Sequence, residues 1–182
     1  DSGSFVITFT SGIELDDLAV EAYGLSAPEV YEDQTVTQSD TQEPGDDPLN
    51  EANGWKLFPF SLEHASSVAI WTDNATTNDL DMYVFYDANG DGVFSYPSEV
   101  LSSSTTPSSA EFVQLLNPED GDYLVGIFGW DVTGGGTYDL FIHTIQGYEL
   151  TVSDAPASVT PGTPVVLTVD YSKAMTAGTT YF

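Results

Sequence analysis

The chain has 182 residues, 41% of them hydrophobic, enough to bury the core of one or two domains. Two cations, Lys56 and Lys173, stand against 29 acidic residues, a formal net charge of −27. Phosphate backbones need clustered cations and anionic membranes repel this charge, so nucleic acid and membrane are excluded as partners and divalent cations are favoured. Without cysteine there is neither a disulfide framework nor thiol chemistry. No apolar run approaches the roughly 20 residues of a membrane span. Abundant Thr, Ser, Gly, Tyr and Asp with scarce Lys fit a secreted, extracellular β-protein; a high-salt habitat selects the same surface. The chain opens at Asp1 with no initiator Met or signal peptide, as expected of a mature protein or a piece of a longer one.

Residues 1–27 are expected to close a preceding β module and contain one clear strand, "SFVITFT". "ELDDLAVEAYGL", residues 14–25, reads either as a helix or as an extended arm, because Leu15, Leu18 and Val20 fit neither period. Residues 28–53 are polar. Glu29, Glu32, Asp33, Asp40, Glu43, Asp46, Asp47 and Glu51 lie there with no cation and three prolines, the pattern of an acidic linker. Residues 54–146 form the main body, with strands expected at "GWKLFPFS", "SSVAIWTD", "DLDMYVFYD", a short "GVFSY", "EVLSSS", "AEFVQLL", "GDYLVGIFGW" and "GTYDLFIHTI". Turn signals fall at "DANGDG", "NPEDG" and "VTGGG". Residues 148–182 begin a new, incomplete module with "YELTVSD" and "PVVLTVDYS". The fold class is therefore all-β, an antiparallel sandwich.

Two acidic patterns point to metal. In "YDANGDGVF", Asp87, Asn89, Asp91 and Gly92 fall in the order D-x-N-x-D-G, the first half of a calcium loop. Asp87, Asn89 and Asp91 would offer side-chain oxygens and Val93 its carbonyl. The twelfth position is Ser98 rather than an acid, and Glu99 comes one residue late. A tight strand-to-strand turn explains the same residues. Asp79 and Asp81 share one face of the strand "DLDMYVFY", and like charges at that spacing repel unless a cation or solvent intervenes.

No catalytic constellation emerges. "DSGS" at Asp1–Ser4 resembles the loops of aspartic and subtilisin-type peptidases, but the preceding strand and the partner motifs they need do not occur. His64 reads as a turn residue and His143 as a strand residue, neither with a nucleophile turn to pair with. Asn74-Ala75-Thr76 is a glycosylation sequon. Trp55, Trp71, Tyr83, Phe85 and Tyr123 suit either a binding platform or a core; Trp130, in "IFGWDVTGGG", is the aromatic best placed for ligand contact.

Residues 54–146 resemble the bacterial pre-peptidase C-terminal domain, a jelly-roll-like sandwich. The resemblance rests on "WKLFPFSL", "NDLDMYVFYDANGDG", "AEFVQLLNPEDGDYLVGIFGW" and "GTYDLFIHTI", in that order. The flanking segments resemble partial fibronectin-like and immunoglobulin-like modules of secreted subtilisin-like serine peptidases. The resemblance implies a non-catalytic accessory region whose partner is a parent peptidase catalytic domain, with a role in folding, secretion or protein-substrate binding and with Ca2+ as cofactor. Asp79, Asp81 and Asp87 match the family's acidic strand, while "GDGVFSYPSE" enlarges its usual short turn. An extracellular structural protein assembling by strand exchange and a calcium-dependent carbohydrate-binding module are the alternatives. The terminal strands are expected to pair with each other or with neighbouring copies.

Overall fold

Alternation with a period of two produces strands throughout the computed structural model, which describes residues 1–45 and 50–182. Asp46 and Asp47 of the expected linker lie outside the described residues. Numbered in chain order, the strands are β1 (Ser2–Thr10), β2 (Glu29–Gln34), β3 (Trp55–Leu62), β4 (Ala65–Asp73), β5 (Asp79–Tyr86), β6 (Val100–Ser104), β7 (Phe112–Leu116), β8 (Gly121–Asp131), β9 (Tyr138–Gln146), β10 (Leu150–Ser153) and β11 (Pro164–Ser172). The helical content among the described residues is a single 3-10 turn at Glu51–Asn53. No helix among them is long and apolar enough to cross a membrane. The all-β expectation therefore holds. The short strand expected at "GVFSY" is irregular chain instead.

The chain divides into two units, one of residues 28–144 and one of residues 1–27 with 145–182. In the first, two four-stranded sheets, ordered β2-β9-β4-β7 and β3-β8-β5-β6, form the sandwich. Leu80, Met82 and Val84 of β5 meet Val68 and Ile70 of β4 and Leu140 and Ile142 of β9 in its core. Leu80, Met82, Val84, Val68 and Ile70 are fully buried, and burial of such side chains stabilises by about 1.5–3 kcal/mol each. The opposite face of β5 is covered as well. Tyr83 and Phe85 pack with Trp55, Leu124 and Phe128, and Phe94 and Tyr96 of the enlarged turn close over them. The irregular "GVFSY" stretch is thus a cover for the outer face, its backbone bent so that two aromatic rings turn inward.

β2 lies within the stretch read as an acidic linker. Val30 pairs with Phe141 and Tyr31 with Leu140 on β9, and the Tyr31 ring meets Phe58 edge-on at 4.9 Å. These apolar anchors outweigh the charge of the surrounding acids.

The second unit is a three-stranded sheet ordered β1-β11-β10. Phe5 pairs with Val169, Ile7 with Leu167 and Phe9 with Val165. The sequence reading divides these strands between two neighbouring modules; in the structure both stretches contribute to one sheet. Residues 14–25 are irregular chain with one isolated bridge, not helical. Leu15 and Val159 exchange backbone hydrogen bonds of 3.0 and 2.8 Å, and Leu15, Leu18 and Val20 pack against Val159, Val165 and Leu167.

Candidate functional site

The loop after β5 is organised around Asp87, which is 8% exposed. Its Oδ1 accepts from the Gly90 and Asp91 N–H groups at 2.8 and 3.2 Å, and its Oδ2 from Gly92 N–H at 2.8 Å. Asn89 Oδ1 accepts from Asp91 N–H, and Asp91 Oδ1 from Val93 N–H, both at 2.8 Å. Gly90 and Gly92 adopt φ of 70° and 75°, which lets the chain wrap so tightly. Glu99 returns to the loop: its Oε1 accepts from Asn89 Nδ2 at 3.1 Å and its Oε2 from Ser95 N–H at 2.8 Å. The acid that the spacing places one residue late is therefore at the loop after all. The donors suit a hard cation by chemistry, since they are carboxylate, amide and carbonyl oxygens. Their arrangement is another matter. The carboxylates face backbone N–H groups, and among the described residues no group of three acidic, histidine or cysteine side chains is arranged to hold a metal ion.

Asp79 and Asp81 stand apart from this loop, at the start of β5. Asp79 pairs with Asp131 while Asp81 pairs with Phe128, so β8 spans one residue more than β5 between these two pairs. Such a bulge re-aims side chains, and the extra length in β8 falls at Gly129-Trp130. Gly129 is required there, because a Cβ would lie 2.4 Å from the Thr37 carbonyl oxygen. The incoming strap of residues 38–42 is tied to β8: Gln38 and Gln42 donate through Nε2 to the Trp130 carbonyl at 2.7 and 2.9 Å, and Val132 N–H donates to Gln38 Oε1 at 2.7 Å. Between strap, β5, β8 and the turn after β6 lies a cavity of about 420 Å3, lined by Asp79, Asp81, Tyr83, Tyr96, Glu43 and Trp130, together with prolines and threonines.

The cavity is electrostatically strained. Asp81 is 6% exposed; burial, then repulsion from Asp79 and Glu111, push its carboxyl up to about 6. Asp79 is also raised, chiefly by burial and then by Glu111 and Asp131, with a backbone hydrogen bond from Ser108 opposing. Its Oδ1 is buried without a hydrogen-bond partner among the described residues. Glu111, 1% exposed, is by contrast well satisfied. Its Oε1 accepts from Thr106 N–H at 3.1 Å and Thr106 Oγ1 at 2.6 Å, and its Oε2 from Ser104 Oγ. In the sequence, Glu111 stands near the start of "AEFVQLL" with no sign of a role at the site. Its isolation from other carboxylates in the sequence hides that it lies beside β5 in the fold.

The remaining candidates fall elsewhere. Val93 is 59% exposed in the loop. Trp130, 36% exposed, lines the cavity. Trp55, Tyr83, Phe85 and Tyr123 are core residues, and Trp71 stacks on Phe141 at 4.8 Å. His64 sits in the β3–β4 turn and His143 on β9. Asn74, at the sequon, donates through Nδ2 to Asp139 at 2.7 Å.

Fold and site together define an all-β sandwich domain with an acidic, aromatic-walled cavity beside β5 and β8. Residues 56–129 match the family model of the bacterial pre-peptidase C-terminal domain. The match runs from β3 into β8, stopping before Trp130, and takes in Asp79, Asp81, the Asp87 loop and Glu111, but not the strap. No curated protein matches the chain.

Proposed function

We propose that this chain is a non-catalytic accessory region of a secreted bacterial peptidase of the subtilisin-like serine type, holding protein substrate for the catalytic domain it accompanies. The observation that carries the reading is the match of residues 56–129 to the bacterial pre-peptidase C-terminal domain. On this reading the sheet of β1, β10 and β11 belongs to one neighbouring immunoglobulin-like module. Calcium is the cation proposed for the Asp87 loop; side-chain oxygens of Asp87, Asn89 and Asp91, the Val93 carbonyl and Glu99 would have to turn from their present hydrogen bonds to hold it. It would supply charge neutralisation and stiffness, not chemistry.

Co-sedimentation of the 182-residue chain with insoluble protein fibres and with cellulose or chitin tests the proposal, alongside an assay for peptide-bond hydrolysis. Retention on protein without hydrolysis is expected. Retention on polysaccharide alone would convert the chain into a carbohydrate-binding module, and hydrolysis by the chain itself would end the accessory reading. A second reading has its own support: β1 is an edge strand, and Phe5, Val6 and Ile7 on it are 45–60% exposed. Strand addition to β1 would assemble copies head to tail, visible as concentration-dependent mass in sedimentation velocity.

A further inference from the structure

The cavity beside β5 holds two carboxylates, neither of them paired with a lysine. Asp81 is 6% exposed, and among the described residues no hydrogen bond to its carboxylate is seen. Asp79 Oδ1 is buried and has no hydrogen-bond partner among the described residues. Burying carboxylate oxygens without donors is costly, and a cation relieves that cost. The chain's own cations are engaged elsewhere. Lys56 faces Glu51 at 3.7 Å and Lys173 faces Glu149 at 2.6 Å. With only these two Lys and no Arg in the sequence, a Lys or Arg side chain that answered these carboxylates would come from another molecule.

The walls favour an organic cation over a bare metal. At about 420 Å3 the space is far larger than an ion needs. No group of three acidic, histidine or cysteine side chains among the described residues is arranged to hold a metal. Tyr83, Tyr96 and Trp130 supply ring surfaces beside the carboxylates, and Pro44 and Pro107 add apolar flanks. Aromatic faces attract ammonium and guanidinium groups, and apolar flanks cover a methylene stem. A metal ion gains little from either.

We propose that this cavity binds the side chain of a lysine or arginine presented by a protein partner, with Asp79 and Asp81 meeting the charge and Trp130 flanking the stem. The proposal rests on the accessory reading only for the source of that side chain, a protein substrate.

Calorimetric titration of the 182-residue chain, in a chelating buffer, tests it with the N-acetyl methylamides of lysine, arginine, norleucine and glutamate. The lysine or arginine compound, or both, should bind, and the neutral and acidic ones should not. Asp81→Asn should weaken that binding at least about tenfold, since it removes a charge-assisted hydrogen bond. Trp130→Ala should weaken it about fivefold, and its melting curve checks that the variant is folded at the titration temperature. Failure of both cationic compounds to bind, or equal binding of norleucine, overturns the proposal. So does calcium chloride alone binding without chelator, if that binding is lost in Asp81→Asn while the lysine and arginine compounds give no heat. The two readings fail separately. Cationic compounds that do not bind, with wild-type retention on protein fibres intact, remove the cavity's role and leave the accessory function. Loss of fibre retention in the wild type removes the accessory function and leaves the titration result standing.

Discussion

Replacing Asp81 by Asn should stabilise the folded chain at neutral pH and do almost nothing in acid. The folded carboxyl titrates at about 6 against an ordinary value of 3.8. A raised carboxylate value means the folded state holds its proton more tightly than the unfolded state. Its contribution is fully present below pH 3.8 and is lost as pH rises through about 6. The difference between these values corresponds to about 3 kcal/mol. Asp81 lines an open cavity, so water screens part of this cost, and about 1–2 kcal/mol is the expected gain. Asn keeps the shape and removes the charge. Urea unfolding of both proteins in chelator, from pH 3.5 to 8, measures the difference directly. It should be near zero at the acid end and grow to about 1–2 kcal/mol above pH 7. Other carboxylates largely cancel in the comparison, Asp79 excepted, because its charge repels that of Asp81. A difference that stays flat with pH, or a variant less stable than wild type above pH 7, would refute the reasoning.

Gly129→Ala should destabilise the sandwich by about 1–3 kcal/mol, because the new Cβ would press on a backbone carbonyl that can yield only by lifting the strap; thermal melting checks the loss, and an unchanged midpoint would mean the strap moves at no cost. Asp87→Ala should lower stability by about 1–3 kcal/mol, since three backbone N–H groups lose their acceptor; proteolysis should then begin within residues 88–98. Calcium should raise the melting midpoint progressively with concentration if it binds the folded loop, and Asp91→Ala should abolish that rise; no shift at millimolar calcium would eliminate the proposed ion.

The strands were legible where side chains alternate cleanly. "DLDMYVFY" indicates which residues of β5 face the core, and Leu80, Met82 and Val84 are buried there. Asp79 and Asp81 could be placed on the other face by the same period. That Asp81 ends up buried could not be read, because its neighbours arrive from distant segments: Glu43 from the strap, Tyr96 from the enlarged turn and Trp130 from a bulged β8. Bulges break the period that makes a strand readable, which is why the extra residue at Gly129-Trp130 left no trace in the pattern. β2 was obscured differently. Its apolar pair Val30 and Tyr31 is too short to register among acids, and only pairing with β9 makes it a strand. The arm at residues 14–25 gave no clear period because its backbone pairs at one isolated bridge, Leu15 with Val159.

The pairing of β1 with β11 imposes an order on how the chain reaches its native state. Thr10 lies opposite Pro164, so almost the whole polypeptide separates two hydrogen-bonded neighbours. Closing so long a loop in a disordered chain carries a large entropic cost, and collapse of residues 28–144 beforehand shortens the span that must be closed. The sandwich can therefore form during synthesis as soon as β9 has emerged. β1 must wait, with its apolar side chains uncovered, until β11 is made. In that interval β1 is the part of the chain most open to a chaperone or to another copy.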